Sequence, residues 1–388
     1  MTTSVDSLFG EASPELVETA TRLGERELGR DLDGREDRGE FDAEGWRRCA
    51  SFGIQGLPMP ERYGGTGMEL TDAVRVLEAL GRGCRDNGLL FALGAQIWSV
   101  QMPILVFGSD AQRERFLPGL SEGRLIGAHC VTEPEAGSDA FGMRTTATAD
   151  EGGSSYVLNG RKTFITSAPV AGVFLIVATL DREKGAGGLT AFLVEEGTPG
   201  LDVEPLRDAK MGLRTSPMGD VVLQDCRVPA EQMLGQPGGG AAVFNVAMAW
   251  ERCFILVPAL GGMRRQLEEC VAYANTREQF GRPIGKNQAI ADRIVGMHLR
   301  LEQSRLLAYR AAWMRREGRR LTLEPSQVKL QLSESWLQSS LDALQIHGGA
   351  GYLRGMGVER DVRDAAASRI YSGTSEMQRA IIARFLGL

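Results

Sequence analysis

The chain reads as an α+β protein of three successive parts: a helical N-terminal domain, a middle β domain built as a barrel or sandwich, and a C-terminal four-helix bundle. Three observations predict this. Apolar residues recur at helical spacing from Pro14 to Leu120, and long helical patterns return from Ala242 onward. Between them lie short, alternating, β-branched runs punctuated by Gly and Asn turns. The boundaries fall at residues 1–125, 126–235 and 236–388.

In the first part, Leu16, Ala20, Leu23 and Leu28 make one stripe and Val74, Leu77 and Leu80 another, while Leu89 through Val106 form a denser, more buried run. The connection at residues 58–67 is rich in Pro and Gly. Its Gly64-Gly65-Thr66-Gly67 follows no predicted strand and lacks a Lys-Ser/Thr ending, so it is not read as a phosphate cradle. Strands are expected at 145–149, 154–158, 161–166, 173–180, 189–194 and 221–228, with Asn159-Gly160 as a hairpin turn. The spacing then predicts bundle helices at 242–276, 287–316, 324–345 and 362–385.

With 43% hydrophobic and 24% charged residues, the 388-residue chain is expected to fold around a large shared core. Its net charge of -6 offers no basic surface to nucleic acid or anionic lipid, which argues against both partners. Residues 1–16 carry Asp6, Glu11 and Glu15 and no apolar run, so neither a secretory signal nor a membrane span is expected. Six cysteines (Cys49, Cys84, Cys130, Cys226, Cys253, Cys270) show no paired spacing and do not cluster with His129, His298 or His347. This argues against a disulfide framework or metal site and for a reducing cytoplasm. Chemistry must then come from a carboxylate, a cofactor, or both.

The stretch Cys130 to Asp139 joins a strand-like start to a stop at Pro134 and a polar turn, Gly137-Ser138-Asp139, whose backbone can approach a ligand closely. It opens a series of five. After Val131-Thr132-Glu133-Pro134 and its turn come Asn159-Gly160-Arg161-Lys162-Thr163-Phe164-Ile165-Thr166 and Arg277-Glu278-Gln279-Phe280-Gly281-Arg282-Pro283-Ile284. Gln345-Ile346-His347-Gly348-Gly349-Ala350-Gly351-Tyr352 and Tyr371-Ser372-Gly373-Thr374-Ser375-Glu376 complete it. In residues, order and spacing these motifs resemble the acyl-CoA dehydrogenase family, over nearly the whole chain.

That resemblance implies FAD held between the middle domain and the bundle, and a homodimer or homotetramer assembled through the bundles. It assigns His129, Val131, Thr132, Gly137 and Ser138 to the flavin, with Phe164 packing on the ring and Thr166 beside N5. Arg277, Gln279, Phe280, Gln288, Gln345, Gly348 and Gly349 would come from a second subunit toward the pyrophosphate and adenosine, with Thr374 and Glu376 finishing the site in the first.

One departure matters for mechanism. Many family members carry a glutamate base between the Tyr and Gly of the last motif; here the residue is Ser372, a hydroxyl with no base expected beside it. A carboxylate appears elsewhere: Glu251 sits in the apolar stripe Phe244, Ala247, Met248, Phe254, Ile255 of the first bundle helix. Burying a lone carboxylate there strengthens its hold on a proton, as a base working near neutral pH requires. Family branches resembling the isovaleryl-CoA and long-chain dehydrogenases take their base from this position.

The reaction so implied is α,β-dehydrogenation of an acyl thioester, with Glu251 taking the α-proton, hydride passing to FAD N5, and the Ser372 backbone N–H polarising the carbonyl. Ser138, Arg252, Trp98 and Trp250 are expected on the substrate side; Lys210 and Arg214 either steady a pantetheine or phosphate tail or belong to a solvated loop. Electrons would leave to an electron-transfer flavoprotein or dioxygen. Two alternatives stay open: an acyl or aminoacyl group tethered to a carrier protein instead of CoA, and a flavin-dependent oxygenase or oxidase on the same scaffold.

Overall fold

The computed structural model describes residue 9 and residues 13–388 except 208. The acidic stretch at residues 1–16 therefore lies mostly outside the described residues. The N-terminal domain contains α1 Pro14–Glu27, α2 Leu32–Arg38, α3 Ala43–Ser51 and α4 Leu70–Gly83. One continuous run follows: α5 Asn87–Gln96, a π-helical turn Ile97–Gln101, and α6 Met102–Phe107, before α7 Asp110–Ser121. Asp86 starts α5 by accepting from the Leu89 N–H at 3.0 Å. Pro103, which has no N–H to return to the preceding turn, follows the π segment.

Contrary to the expectation of no span-like segment, two helical runs are long and apolar enough to cross a membrane by length and composition. Asn87–Phe107 has a mean hydropathy of 1.7, and Gly240–Thr276 of 1.5. Both are largely buried within the fold, where an all-round apolar surface is what a core helix needs.

The middle domain is a mixed sheet of β1 Gly127–Cys130, β2 Thr146–Ala149, β3 Ser155–Thr166, β4 Val173–Thr179, β5 Leu189–Glu195, β6 Leu201–Pro205, β7 Met218–Pro229 and β8 Met233–Leu234. Its order is β6-β7-β3-β2-β4-β5-β8, with β1 parallel beside β4. β2 and β4 meet only at Thr146 and Thr179, so the sheet turns into two layers there. They share one core, in which Leu158, Val221 and Val228 meet Cys130, Phe174 and Phe192. The rings of Tyr156 and Phe192 lie 5.2 Å apart.

Asn159-Gly160 is not a hairpin turn. It is a bulge inside the single strand β3, where the pairing to β7 slips between Leu158 and Gly160. Both flanks pair with the same long partner strand, so the turn signal yields to tertiary pairing. A second slip between Lys162 and Ile165 puts Phe164 in the left-handed region at φ 57°.

The bundle is α8 Gly240–Phe254, α9 Val257–Thr276, α10 Gln288–Arg316, α11 Glu324–His347, α12 Val358–Ser368 and α13 Ser375–Phe385, with a small ribbon, β9 Glu278–Gln279 and β10 Arg282–Pro283, between α9 and α10. Two expected helices are each broken. The run 242–276 stops at Ile255-Leu256 because Pro258 starts the next helix. The run 362–385 opens after Ser368, where Ser372 and Gly373 have φ of 59° and 85° and Thr374 caps α13 by accepting from the Met377 N–H at 3.2 Å.

The domains are locked by close approach and by buried polar contacts. A Cβ on Gly81 of α4 would run into the Pro258 carbonyl, and one on Gly261 of α9 into that of Glu78. Glu78 accepts from Arg305 Nε at 2.8 Å and from the Tyr309 hydroxyl at 2.6 Å. Asp364 of α12 accepts from the Leu213 N–H at 2.6 Å and from Asn87 Nδ2 at 2.9 Å, joining all three parts.

Candidate active site

On α8, the stripe Ala247, Met248, Glu251 and Phe254 is buried as its spacing predicts, and Glu251 keeps only 8% of its surface exposed. Its carboxylate is not alone. The Ser99 hydroxyl, from the π turn of the N-terminal domain, donates to Oε2, and the Ser372 hydroxyl donates to Oε1. The expectation that Ser372 has no base beside it is thus corrected: the left-handed turn after α12 aims its Oγ at Glu251. His347 takes no part: it meets the Ala343 carbonyl through Nδ1 at 2.8 Å and tilts against the Tyr273 ring.

Around this carboxylate stand the cationic and aromatic groups of four elements. Arg252 turns Nε to the Ser372 carbonyl at 3.0 Å, so it steadies the turn that carries the hydroxyl. Lys329 of α11 donates to the Ser368 carbonyl at 2.6 Å and sits 5.7 Å from the centre of the Tyr371 ring. Burial pushes Lys329 down to about 8, with Arg252 adding to the fall and Glu251 opposing it. Trp98 and Trp250 stack at 5.9 Å and 3°, and Phe254 tilts against both at 5.1 and 5.8 Å. Trp98 is fully buried with its indole Nε1 unpartnered, and Arg315 lies over Trp250 at 4.7 Å.

The first two motifs meet in the sheet domain. The Thr163 N–H donates to the Thr132 carbonyl at 2.8 Å, and Lys162 Nζ reaches the Val131 carbonyl at 3.2 Å and Glu133 Oε1 at 2.7 Å. Val131 is buried, Gly137 and Ser138 are exposed, and Thr166 is half-buried at the end of β3. Phe164 is 60% exposed despite its left-handed backbone. A bulky aromatic held out of the core at φ > 0 is a strained arrangement of the kind that clusters at ligand sites. His129 has a buried, unpartnered Nε2, and burial together with Lys162 pushes it down to about 4, so the ring is neutral. These features fit a planar heterocycle such as a flavin. The Phe141 and Phe244 rings, 5.5 Å apart, link this loop to the first turns of α8, on whose face Glu251 lies two turns farther along.

The remaining residues gather at the far end of the bundle. Arg277, Gln279 and Phe280 occupy the ribbon region and Gln288 starts α10, while Gln345, Gly348 and Gly349 end α11. Stacking of Tyr273 on His347 at 4.4 Å brings the two ends together. Phe280 is 97% exposed at φ 55°. Among the described residues, no hydrogen bond or ion pair joins this end to Val131, Thr132, Phe164 or Thr166. Thr374 and Glu376 sit at the start of α13, close in sequence to Ser372.

Of the two readings open for Lys210 and Arg214, their contacts are those of a loop. Lys210 donates to the Leu213 and Ser216 carbonyls, both at 2.5 Å, closing its own loop, and Arg214 meets the Asp37 carbonyl at 3.3 Å. Ser99 went unnoticed although the signal was present: like Glu251, it is a polar residue inside an apolar helical run.

The N-terminal, middle and C-terminal domains of acyl-CoA dehydrogenase match residues 11–124, 128–226 and 238–387. An L-prolyl-[peptidyl-carrier protein] dehydrogenase of Pseudomonas fluorescens is 43% identical over 356 residues, 92% of this chain and 93% of that protein. The crystal structure of the prolyl acyl carrier protein oxidase AnaB superposes with a TM-score of 0.94 at 44% identity, covering 96% of this chain and 98% of that one. The FAD complex of PigA does so with a TM-score of 0.93 at 39% identity, covering 98% and 99%. With all three of its domains matched and relatives of this similarity along its length, the chain belongs to the acyl-CoA dehydrogenase family.

Proposed function

We propose that this chain is an FAD-dependent dehydrogenase of acyl thioesters whose substrate is a small aminoacyl group, of prolyl type, carried on a carrier protein, with Glu251 as the base. The carrier-protein handle was the alternative in the sequence reading, and the prolyl relatives favour it over CoA. One observation carries the mechanism: the Glu251 carboxylate is buried and held by two hydroxyls, beside the stacked Trp98 and Trp250.

The thioester carbonyl makes the α C–H acidic, and Glu251 is the carboxylate assigned to take that proton. The Ser372 peptide N–H is assigned to the carbonyl, and Arg252 fixes the turn through its bond to the Ser372 carbonyl. Trp98, Trp250 and Phe254 pack ring on ring and are assigned to the apolar side of the substrate site. Bound FAD supplies the acceptor for the hydride leaving the β carbon. His129, Val131, Thr132, Gly137, Ser138, Phe164 and Thr166 are the residues that would hold its ring.

The exposed end bearing Arg277, Gln279, Phe280, Gln288, Gln345, Gly348 and Gly349 is assigned to the cofactor of a second copy, giving a homodimer or homotetramer. Reoxidation is assigned to an electron-transfer flavoprotein or dioxygen, and the location to the cytoplasm. The test is anaerobic bleaching of the bound flavin by L-prolyl carrier protein, L-prolyl-CoA and butyryl-CoA. The prolyl carrier protein should bleach fastest. Fast bleaching by butyryl-CoA with none by either prolyl thioester would overturn the substrate assignment.

A further inference from the structure

We infer that Ser99 is a positioning residue for the base, and that the π-helical turn Ile97–Gln101 exists at this place to deliver it. This rests on Glu251 being the base. Ser99 is 1% exposed, and its Oγ donates to Glu251 Oε2 across the boundary between the N-terminal domain and the bundle. Its neighbour Trp98 stacks on Trp250, the residue before Glu251. Two adjacent residues of one turn thus engage two adjacent residues of α8. The π turn changes the phase of the run ahead of Pro103, and in that phase Trp98 and Ser99 both face α8.

The groups around Glu251 leave this hydroxyl a role of its own. Arg252 on α8 points its Nε at the Ser372 carbonyl, Lys329 on α11 points at the Ser368 carbonyl, and half-buried Tyr371 tilts against Phe91 with its hydroxyl pushed up by desolvation. The Glu251 oxygens are met by hydroxyls instead, Ser99 on one and Ser372 on the other. A hydroxyl donates to a carboxylate and accepts from a carboxylic acid. When the substrate C–H bond breaks and an O–H bond forms at Oε1, Oε2 goes on accepting from Ser99 and stays in one place, while the Ser372 hydroxyl turns to accept from the new O–H.

In Ser99→Ala the carboxylate loses the contact that orients Oε2, so kcat for flavin bleaching should fall about tenfold while KM stays unchanged. Ser99→Thr, which keeps a hydroxyl, should restore kcat. Retained flavin absorbance and thermal midpoint report folding, and Ser99→Cys, an isosteric weak donor, is read in place of Ser99→Ala if that variant does not fold. A wild-type kcat, or a rise in KM with kcat unchanged, in a folded Ser99→Ala or Ser99→Cys overturns the proposal. Glu251→Gln separates the two ideas: if it still bleaches at the wild-type rate, the base assignment itself is wrong.

Discussion

The fold buries two carboxylates near the proposed flavin and substrate, Glu133 in the sheet domain and Glu251 on the bundle, and surrounds them differently. Glu133 is 4% exposed and takes Lys162 Nζ at 2.7 Å, the Thr145 N–H at 2.9 Å and the Arg144 N–H at 2.5 Å. Burial works to raise its carboxyl, but the Lys162 charge and these hydrogen bonds win and hold it below the usual carboxylate range. Glu251, equally buried, is held by two hydroxyls. A carboxylate locked to a cation and two amides has no reason to accept a proton. One met by neutral hydroxyls carries no such lock, so the first is a strut and the second is the carboxylate left for acid–base work.

Removing each acid's proton chemistry should therefore have opposite consequences. Glu251→Gln should keep bound yellow flavin and an unchanged thermal midpoint but lose substrate-dependent bleaching by roughly 10²–10⁴-fold, measured by anaerobic stopped flow. A wild-type rate would erase the contrast. Lys162→Met should act on stability instead. It leaves Glu133 buried and unpaired, which costs about 3–5 kcal/mol in urea unfolding and loosens the loop carrying Val131 and Thr132. A loss under about 1 kcal/mol would show that Glu133 is not a strut.

The comparison sharpens further at the exposed end of the bundle. If the second-copy assignment of Phe280 holds, Phe280→Ala should weaken FAD retention on dilution by about tenfold, while bleaching per bound flavin stays at the wild-type rate. If gel filtration and flavin retention are both untouched, the second-copy reading of that end fails.

The smallest effect belongs to a third buried acid. Desolvation pushes Asp364 up to about 7, against the bonds from Leu213 and Asn87. In the unfolded chain it titrates near 3.8, so between that value and about 7 the folded state holds the extra proton and stability falls as pH rises. From pH 6 to 8 the loss should be about 1 kcal/mol, and Asp364→Asn should flatten it, read as chemical stability against pH.

The lesson for reading such a chain lies in which residues were visible. Glu251 could be picked out because an acid on an apolar helical stripe breaks a periodic pattern that local burial alone sets. The same periodicity marked the α, β, α order of the three parts. Ser99 obeyed the same rule and was passed over, since one short hydroxyl disturbs an apolar run less than a charge does. Asn159-Gly160 misled because its turn propensity is local, while the register of β3 is decided by β7, some sixty residues on.

Sequence alone thus determined the layering of the chain and the position of the acid, because both follow from the period at which side chains meet water or core. Only tertiary structure decided what holds that acid. Ser99 and Ser372 stand 152 and 121 residues from Glu251, and a hydrogen bond between residues so separated has no imprint on any periodicity. It exists because the N-terminal helices, the broken last helix and α8 pack on one another, which the close contacts at Gly81 and Gly261 permit.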